Sequence, residues 1–307
     1  MAYESSVPYR AGTEGYTSFR IPAVVRARSG VLLAFAEGRV TSAADSGTIH
    51  LVLKRSADGD RTWGPLQVVA RNGTGTAGNP APVALDSGRL LLLQVHNAAD
   101  ATEDRIRRGQ VPPADGRRVR LQHSDDDGAT WRIGYTDSGS DTDSDTDRAV
   151  APNETTAAEL ADGSVYLNAR NEAPAARRRV DTVSTDGGEH LTRPFRPQAG
   201  LTGPAVQGSA LPHGDRGALL FSGPAHPSAR ALMTLRTSRD GGLTMGVPPR
   251  ERSRAWGRTA HTVTGLPAAY SDLVRLDRDS VGLLYETGDL SAYSTITFRR
   301  IPVEEPT

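Results

Sequence analysis

Cysteine is absent from all 307 residues, which removes disulfides, thiolate nucleophiles and cysteine-ligated metals from consideration. Lysine is almost absent as well, Lys54 standing alone against 35 arginines. So strong a bias lowers the value of any single arginine, and only its sequence context can mark one out. An excess of either charge is also lacking: 36 basic residues balance 36 acidic ones, so no chain-wide field favours nucleic acid or an anionic membrane surface. No apolar run approaches the ~18 residues needed to span a bilayer. The opening Met1-Ala-Tyr-Glu-Ser-Ser shows neither a basic n-region nor an apolar h-region. These absences lead us to expect no membrane or nucleic-acid contacts, and a monomer is the expected state. The expected location is the cytoplasm as written, or secretion if an N-terminal signal has been trimmed. Helical periodicity is nearly missing too, because no useful window carries an apolar i, i+3, i+4 stripe, whereas 32 glycines and 20 prolines fall at turn intervals. The expected fold class is all-β, in one domain over 1–307, a length that all-β chains commonly fold as a unit.

Two interleaved repeats organise the chain. The first, Ser-x-Asp-x-Gly-x-Thr-Trp, is seen as Ser56-Ala-Asp58-Gly-Asp60-Arg-Thr62-Trp63 and Ser124-Asp-Asp126-Asp-Gly128-Ala-Thr130-Trp131. Degraded copies follow at Ser184-Thr-Asp186-Gly-Gly188-Glu-His190-Leu191 and Ser238-Arg-Asp240-Gly-Gly242-Leu-Thr244-Met245. The first copy departs from the pattern with Asp60 at the glycine position. Each follows a β-rich run, as a strand entering a turn should. Ser and Asp hold such turns through hydrogen bonds to nearby backbone, and Gly supplies positive φ. The second repeat is a short strand, a turn and a strongly apolar strand; five copies end at Phe35, Leu93, Leu167, Phe221 and Tyr285. Their spacing is that of propeller blades, so the chain reads as an array of four-stranded sheets. An acidic low-complexity segment over about 136–148 breaks the pattern and is expected to be a loop. Its Asp141, Asp143, Asp145 and Asp147 invite a calcium reading, but an EF-hand loop needs Gly sixth and Glu twelfth, where Thr146 and Pro152 stand.

Phe19-Arg20-Ile21-Pro22 followed by several Asp-box turns resembles the signature of sialidases (neuraminidases) over roughly Arg20 to Glu286. The resemblance implies a sialidase-type β-propeller. It also implies an exo-α-sialidase, a glycoside hydrolase that removes terminal α-linked sialic acid from oligosaccharides, glycoproteins or glycolipids with retention through a tyrosyl-glycosyl intermediate. Sialic acid carries a carboxylate on its anomeric carbon, and planar, bidentate guanidinium groups suit that anion better than lysine. The family's arginine triad carries over to Arg20, Arg170 and Arg230, with Arg236 close enough to be exchanged with Arg230 in a shifted alignment. Tyr270, in Ala269-Tyr270-Ser271-Asp272, matches the nucleophile, and a neutral phenol avoids the repulsion a carboxylate would meet. Such a phenol needs a base, and Glu154 matches it. Asp45 matches the proton donor on a loop that can close over the glycosidic oxygen. Arg39, Asn79 and Gln207 match pocket-lining positions, and Glu286 the residue that orients the first arginine. Nothing implies a metal or a cofactor; the implied partner is a sialylated glycan.

Six blades are expected from that family, and about five are readable here. The gap lies between the Asn79 and Glu154 copies, where two boxes read as merged by loss of one repeat. An altered ring would shift the catalytic groups relative to one another, and an error of about 1 Å can cost ~100-fold in rate. A catalytically impaired sialic-acid-binding propeller is therefore the alternative.

Overall fold

A computed structural model describes residues 5–84, 87–112, 114–116, 118–136, 152–171, 178–186, 191–213, 218–243 and 260–303. The acidic segment beyond Thr136, and the box residues at 187–190 and 244–245, lie outside these. The chain divides into two compact units, one holding the described residues up to Thr136 with 293–299, the other holding those from Pro152 onward with the chain after 299. Among the described residues the regular secondary structure is strand, apart from a single helical turn.

In the first unit, β2 (Ser18–Arg26), β3 (Leu32–Arg39), β4 (Ile49–Ser56) and β5 (Gln67–Ala70) form an antiparallel meander. A second meander runs β6 (Thr76–Ala84), β7 (Leu90–Asn97), β8 (Arg118–Ser124) and β9 (Arg132–Thr136). One parallel bridge, Ile49 to Thr76, joins them. β1 (Ser5–Arg10) pairs antiparallel with the start of β19 (Thr295–Pro302), Ser5 opposite Arg299. The β3 run Leu-Leu-Ala-Phe-Ala-Glu-Gly-Arg is buried at every position, as a strand covered on both faces should be. Leu33, Phe35, Leu51, Leu53, Ala77 and Leu92 make the core between the two meanders, with Trp131 edge-on to Phe35 at 5.8 Å. Full burial of a side chain such as Phe35 contributes about 2 kcal/mol.

The second unit repeats the plan. β10 (Pro152–Glu159), β11 (Val165–Asn171), β12 (Arg178–Ser184) and β13 (Arg196–Thr202) form one meander. β14 (Ser209–His213), β15 (Ala218–Pro224), β16 (Ala231–Ser238) and the first half of β17 (Ala260–Arg275) form the next, and the second half of β17 pairs with β18 (Ser280–Thr287). One core joins Ala158, Tyr166, Leu201, Leu219 and Phe221; another joins Met233, Leu235, Leu273, Val281, Leu283 and Tyr285.

The Asp boxes close their turns as the sequence pattern requires. Ser124 Oγ accepts the Gly128 N–H at 2.9 Å and donates to Asp126, whose carboxylate accepts both the N–H and the hydroxyl of Thr130. Ser56, Asp58 and Thr62 repeat this network around Asp60, which takes φ 83° where Gly128 takes 77°. Among the described residues the departure from an all-strand reading is α1 (Glu103–Arg107), capped by the Thr102 hydroxyl. At five residues it is too short to leave a periodic signal. Among the described residues no helix is long and apolar enough to cross a membrane.

Candidate active site

Four of the residues singled out in the sequence share one local device. Arg20, Asn79, Glu154 and Tyr270 each lie where the first strand of a sheet slips register against its neighbour: between Arg20 and Ala23, Gly78 and Ala81, Pro152 and Thr155, and Ala268 and Ser271. Such irregularities re-aim side chains that a regular strand would point into the pleat. In the first two sheets the slip contains a non-glycine residue at positive φ, Ile21 at 54° and Asn79 at 51°, each followed by proline. Pro removes a ladder donor and disfavours the right-handed helical region for the residue before it. A β-branched residue in the left-handed region costs of order 1–3 kcal/mol, the kind of strain that clusters at functional sites.

The first unit carries a buried network built on Glu37. Arg20 is 5% exposed, its guanidinium carbon 4.0 Å from the centre of the Tyr293 ring. Glu37 Oε1 accepts the Asn79 N–H at 2.9 Å, and Oε2 accepts Nη2 and Nε of Arg39 at 2.7 and 3.1 Å. The remaining nitrogen, Arg39 Nη1, donates to the Ala43 carbonyl at 2.6 Å and pairs with Asp45 at 2.8 Å. Arg39 is buried while Asp45 is largely exposed, so a fixed guanidinium tethers a carboxylate standing in solvent. Space around Glu37 is tight: a Cβ on Gly78 would lie 2.1 Å from Oε1.

The second unit holds a tyrosine, glutamate and arginine in mutual contact. Tyr270 Oη donates to Glu154 Oε1 at 2.5 Å; Arg170 Nη1 donates to Glu154 Oε2 at 3.0 Å and to Tyr270 Oη at 3.2 Å. Burial of Tyr270, and next the adjacent Glu154 charge, push the phenol well above its ordinary value, Arg170 opposing them. The phenol is therefore neutral at physiological pH and already hydrogen-bonded to a base. Arg230 brings its guanidinium carbon to 5.9 Å from the Tyr270 ring centre. Glu286, wholly buried, accepts the Tyr270 N–H at 3.3 Å, and Gln207 Oε1 accepts the Ser271 N–H at 3.4 Å. Arg236 is 3% exposed and bonds the Thr202 carbonyl, so of the two exchangeable arginines only Arg230 is near Tyr270 among the contacts seen.

Thus Arg20, Arg39, Asp45 and Asn79 fall in one unit, and Glu154, Arg170, Gln207, Arg230, Tyr270 and Glu286 in the other. Glu37 and Tyr293 were not foreseen. The spacing of Glu37 two residues before Arg39 on a strand, hence on the same face, was an available signal. No cluster of three or more metal-ligating side chains occurs among the described residues. Chemically, the second unit offers a hydroxyl hydrogen-bonded to a carboxylate that could accept its proton, and the first a carboxylate tethered in solvent.

A family model described as "BNR repeat-like domain" matches residues 22–246. The chain is 31% identical, over a 286-position alignment, to the exo-alpha-sialidase of Aspergillus fumigatus, taking in 74% of this chain and 69% of that protein. It is 28% identical to the sialidase of Micromonospora viridifaciens, covering 90% of this chain but 51% of that one, about half its length. That alignment runs to 354 positions, more than this chain has residues, so the relative holds segments with no counterpart here. Among solved structures, the Hadza microbial sialidase Hz136 superposes with a TM-score of 0.80 at 20% identity, over 97% of this chain and 68% of its own, and so shares the β-propeller fold. The extent of the repeat match and the identity to a curated exo-alpha-sialidase agree: the chain belongs to the sialidase family of glycoside hydrolases.

Proposed function

We propose that this protein is an exo-α-sialidase that releases terminal α-linked sialic acid from glycans with retention of configuration. The observation carrying the reading is the Tyr270 hydroxyl, 2.5 Å from Glu154, with Arg170 on both. Arg20, Arg170 and Arg230 take the role of binding the substrate carboxylate, and Arg39, Asn79 and Gln207 line the sugar's surroundings. Glu286 acts as a positioning residue, for Arg20 and, through its bond to the Tyr270 N–H, for the nucleophile's backbone.

In the first step Tyr270 Oη attacks the anomeric carbon while its proton passes to Glu154. The bond to the leaving oxygen breaks, and that oxygen keeps the electron pair and takes a proton from Asp45. Water then attacks the glycosyl-tyrosine with Asp45 as base, and Tyr270 regains its proton from Glu154. Two inversions at one carbon give retention. A neutral nucleophile suits a substrate whose reacting carbon bears a carboxylate, since charge repulsion is avoided. General acid and base assistance of this kind is worth about 10²–10⁴ in rate.

The test is release of a fluorophore from an aryl α-sialoside by the purified protein beside Tyr270→Phe. Turnover that falls by a factor of roughly 10³ or more in the variant, with the first product of the α sialoside still α by NMR, supports the reading. A folded wild type that binds the sialoside without turning it over would replace it with the binding-propeller alternative.

A further inference from the structure

Independently of the reaction, the second unit contains a small cleft beneath Gln207, lined by the 203–208 connection between β13 and β14, by Leu201, Phe221 and Pro224, and by two buried arginines, Arg179 and Arg236. Arg179 is 8% and Arg236 3% exposed. Arg179 donates from Nε to Asn168 Oδ1 and from Nη1 to the Val206 carbonyl, both at 2.5 Å, and its guanidinium stands 5.2 Å from the Phe221 ring centre. Arg236 donates from Nη2 to the Thr202 carbonyl at 3.4 Å. Phe221 and Arg236 are direct partners across β15 and β16, which places the two cations around one ring. Arg179 Nη2 and Arg236 Nε have no acceptor. Among the described residues no carboxylate forms an ion pair with either; Glu154, which Arg179 senses electrostatically, is engaged by Arg170 and Tyr270.

Two guanidinium charges withdrawn from water with only neutral acceptors are an expensive arrangement, since buried cations are ordinarily paired. Burial pushes both down to about 10, which leaves them charged at neutral pH. We propose that this cleft is a binding site for a small monovalent anion of the halide class, held between Arg179 Nη2 and Arg236 Nε. The rest of the lining, largely Leu201, Val206, Phe221, glycine and proline, supplies few further donors. Gln207 commits its amide to the Gly208 carbonyl. A phosphate or sulfate would leave most of its oxygens unsatisfied there, whereas a monoatomic ion needs only the charge and two N–H groups. Bound, it cross-links β12 to β16 beneath the connection that carries Gln207.

The measurement is thermal unfolding of the full chain at constant ionic strength while gluconate is exchanged for chloride or bromide, with bromide anomalous diffraction from crystals of the same protein. The expected result is a saturable rise in Tm, about 4 °C near 100-fold excess over Kd, absent from Arg236→Met and Arg179→Met. An anomalous peak between the two guanidinium groups accompanies it. A rise that is linear and equal in wild type and variants would be general salt screening and would overturn the proposal, as would a cleft without bromide. Should a variant not fold, the wild-type anomalous map decides alone. Neither readout involves sialoside turnover, so failure here leaves the enzymatic reading untouched.

Discussion

Glu37 shows how much of the site depends on a residue with no chemical step of its own. Its two oxygens hold the Asn79 backbone and two nitrogens of Arg39, and Arg39 in turn tethers Asp45. Glu37→Gln leaves one carbonyl oxygen for three donors and strands part of a buried guanidinium, for which about 3 kcal/mol of stability is expected to be lost. If Glu37 positions Asp45, kcat of the folded enzyme on an aryl sialoside falls in Glu37→Gln while Glu37→Asp restores part of it; loss of stability alone would leave kcat per folded molecule in place. Gly78→Ala tests the same network by sterics: its Cβ, 2.1 Å from Glu37 Oε1, forces the carboxylate aside. A loss of about 1–3 kcal/mol in urea unfolding is expected, as for other overpacked sites. At this scale the sequence was legible where a motif frames the residue: Tyr270, Glu154 and Arg170 meet within hydrogen-bonding distance across 116 and 100 positions of chain. It was opaque for a carboxylate inside an apolar strand. Glu37 reads in sequence as the polar end of Leu32–Arg39, and only the fold shows that Asn79 is its partner.

Among elements, the Asp-box turns were the most legible, because their side chains satisfy their own backbone and need no distant partner. Asp58 and Asp126 are each drawn down to about 2, by hydrogen bonds from Thr62 and Thr130 respectively. A carboxylate held below its ordinary value contributes stability that is present above about pH 4 and lost as pH falls towards 2. Urea midpoints for the wild type should therefore drop between pH 4 and 2, and Asp126→Asn should lower the plateau near neutrality while flattening that drop. Asp60 marks where the repeat was broken at a cost. It adopts φ 83° where the second and fourth boxes use Gly128 at 77° and Gly242 at 87°. Less legible were α1 and the outermost strands β5 and β9, four and five residues long, which sit at sheet margins where little burial imposes a pattern.

For the molecule as a whole, five apolar strand pairs were readable, and the described strands group in the same order, β9 being followed by β10. What sequence patterning could not supply was how the chain's ends are used, because the pairing partner of a short strand 290 residues away leaves no local trace. The first unit incorporates 293–299, so its sheet at β1 and β19 is made from both ends of the described chain. Two contacts within that unit fasten β1, and a third braces its partner strand β19. Tyr9 is wholly buried and donates to the Ala34 carbonyl at 2.7 Å, Ser6 Oγ accepts the Trp63 indole N–H at 2.8 Å, and Trp63 stands edge-on to Phe298. Truncating Tyr9 to alanine removes an aromatic from a closed core, for which about 3–5 kcal/mol is expected. Tyr9→Phe loses a single buried hydrogen bond, worth about 1 kcal/mol. If β1 closes the first unit, hydrogen exchange in Tyr9→Ala should rise in β2, β3 and β19 before it rises in β11 and β12. Uniform loss of protection would instead mean that the two units unfold as one, and that Tyr9 supports the chain as a whole.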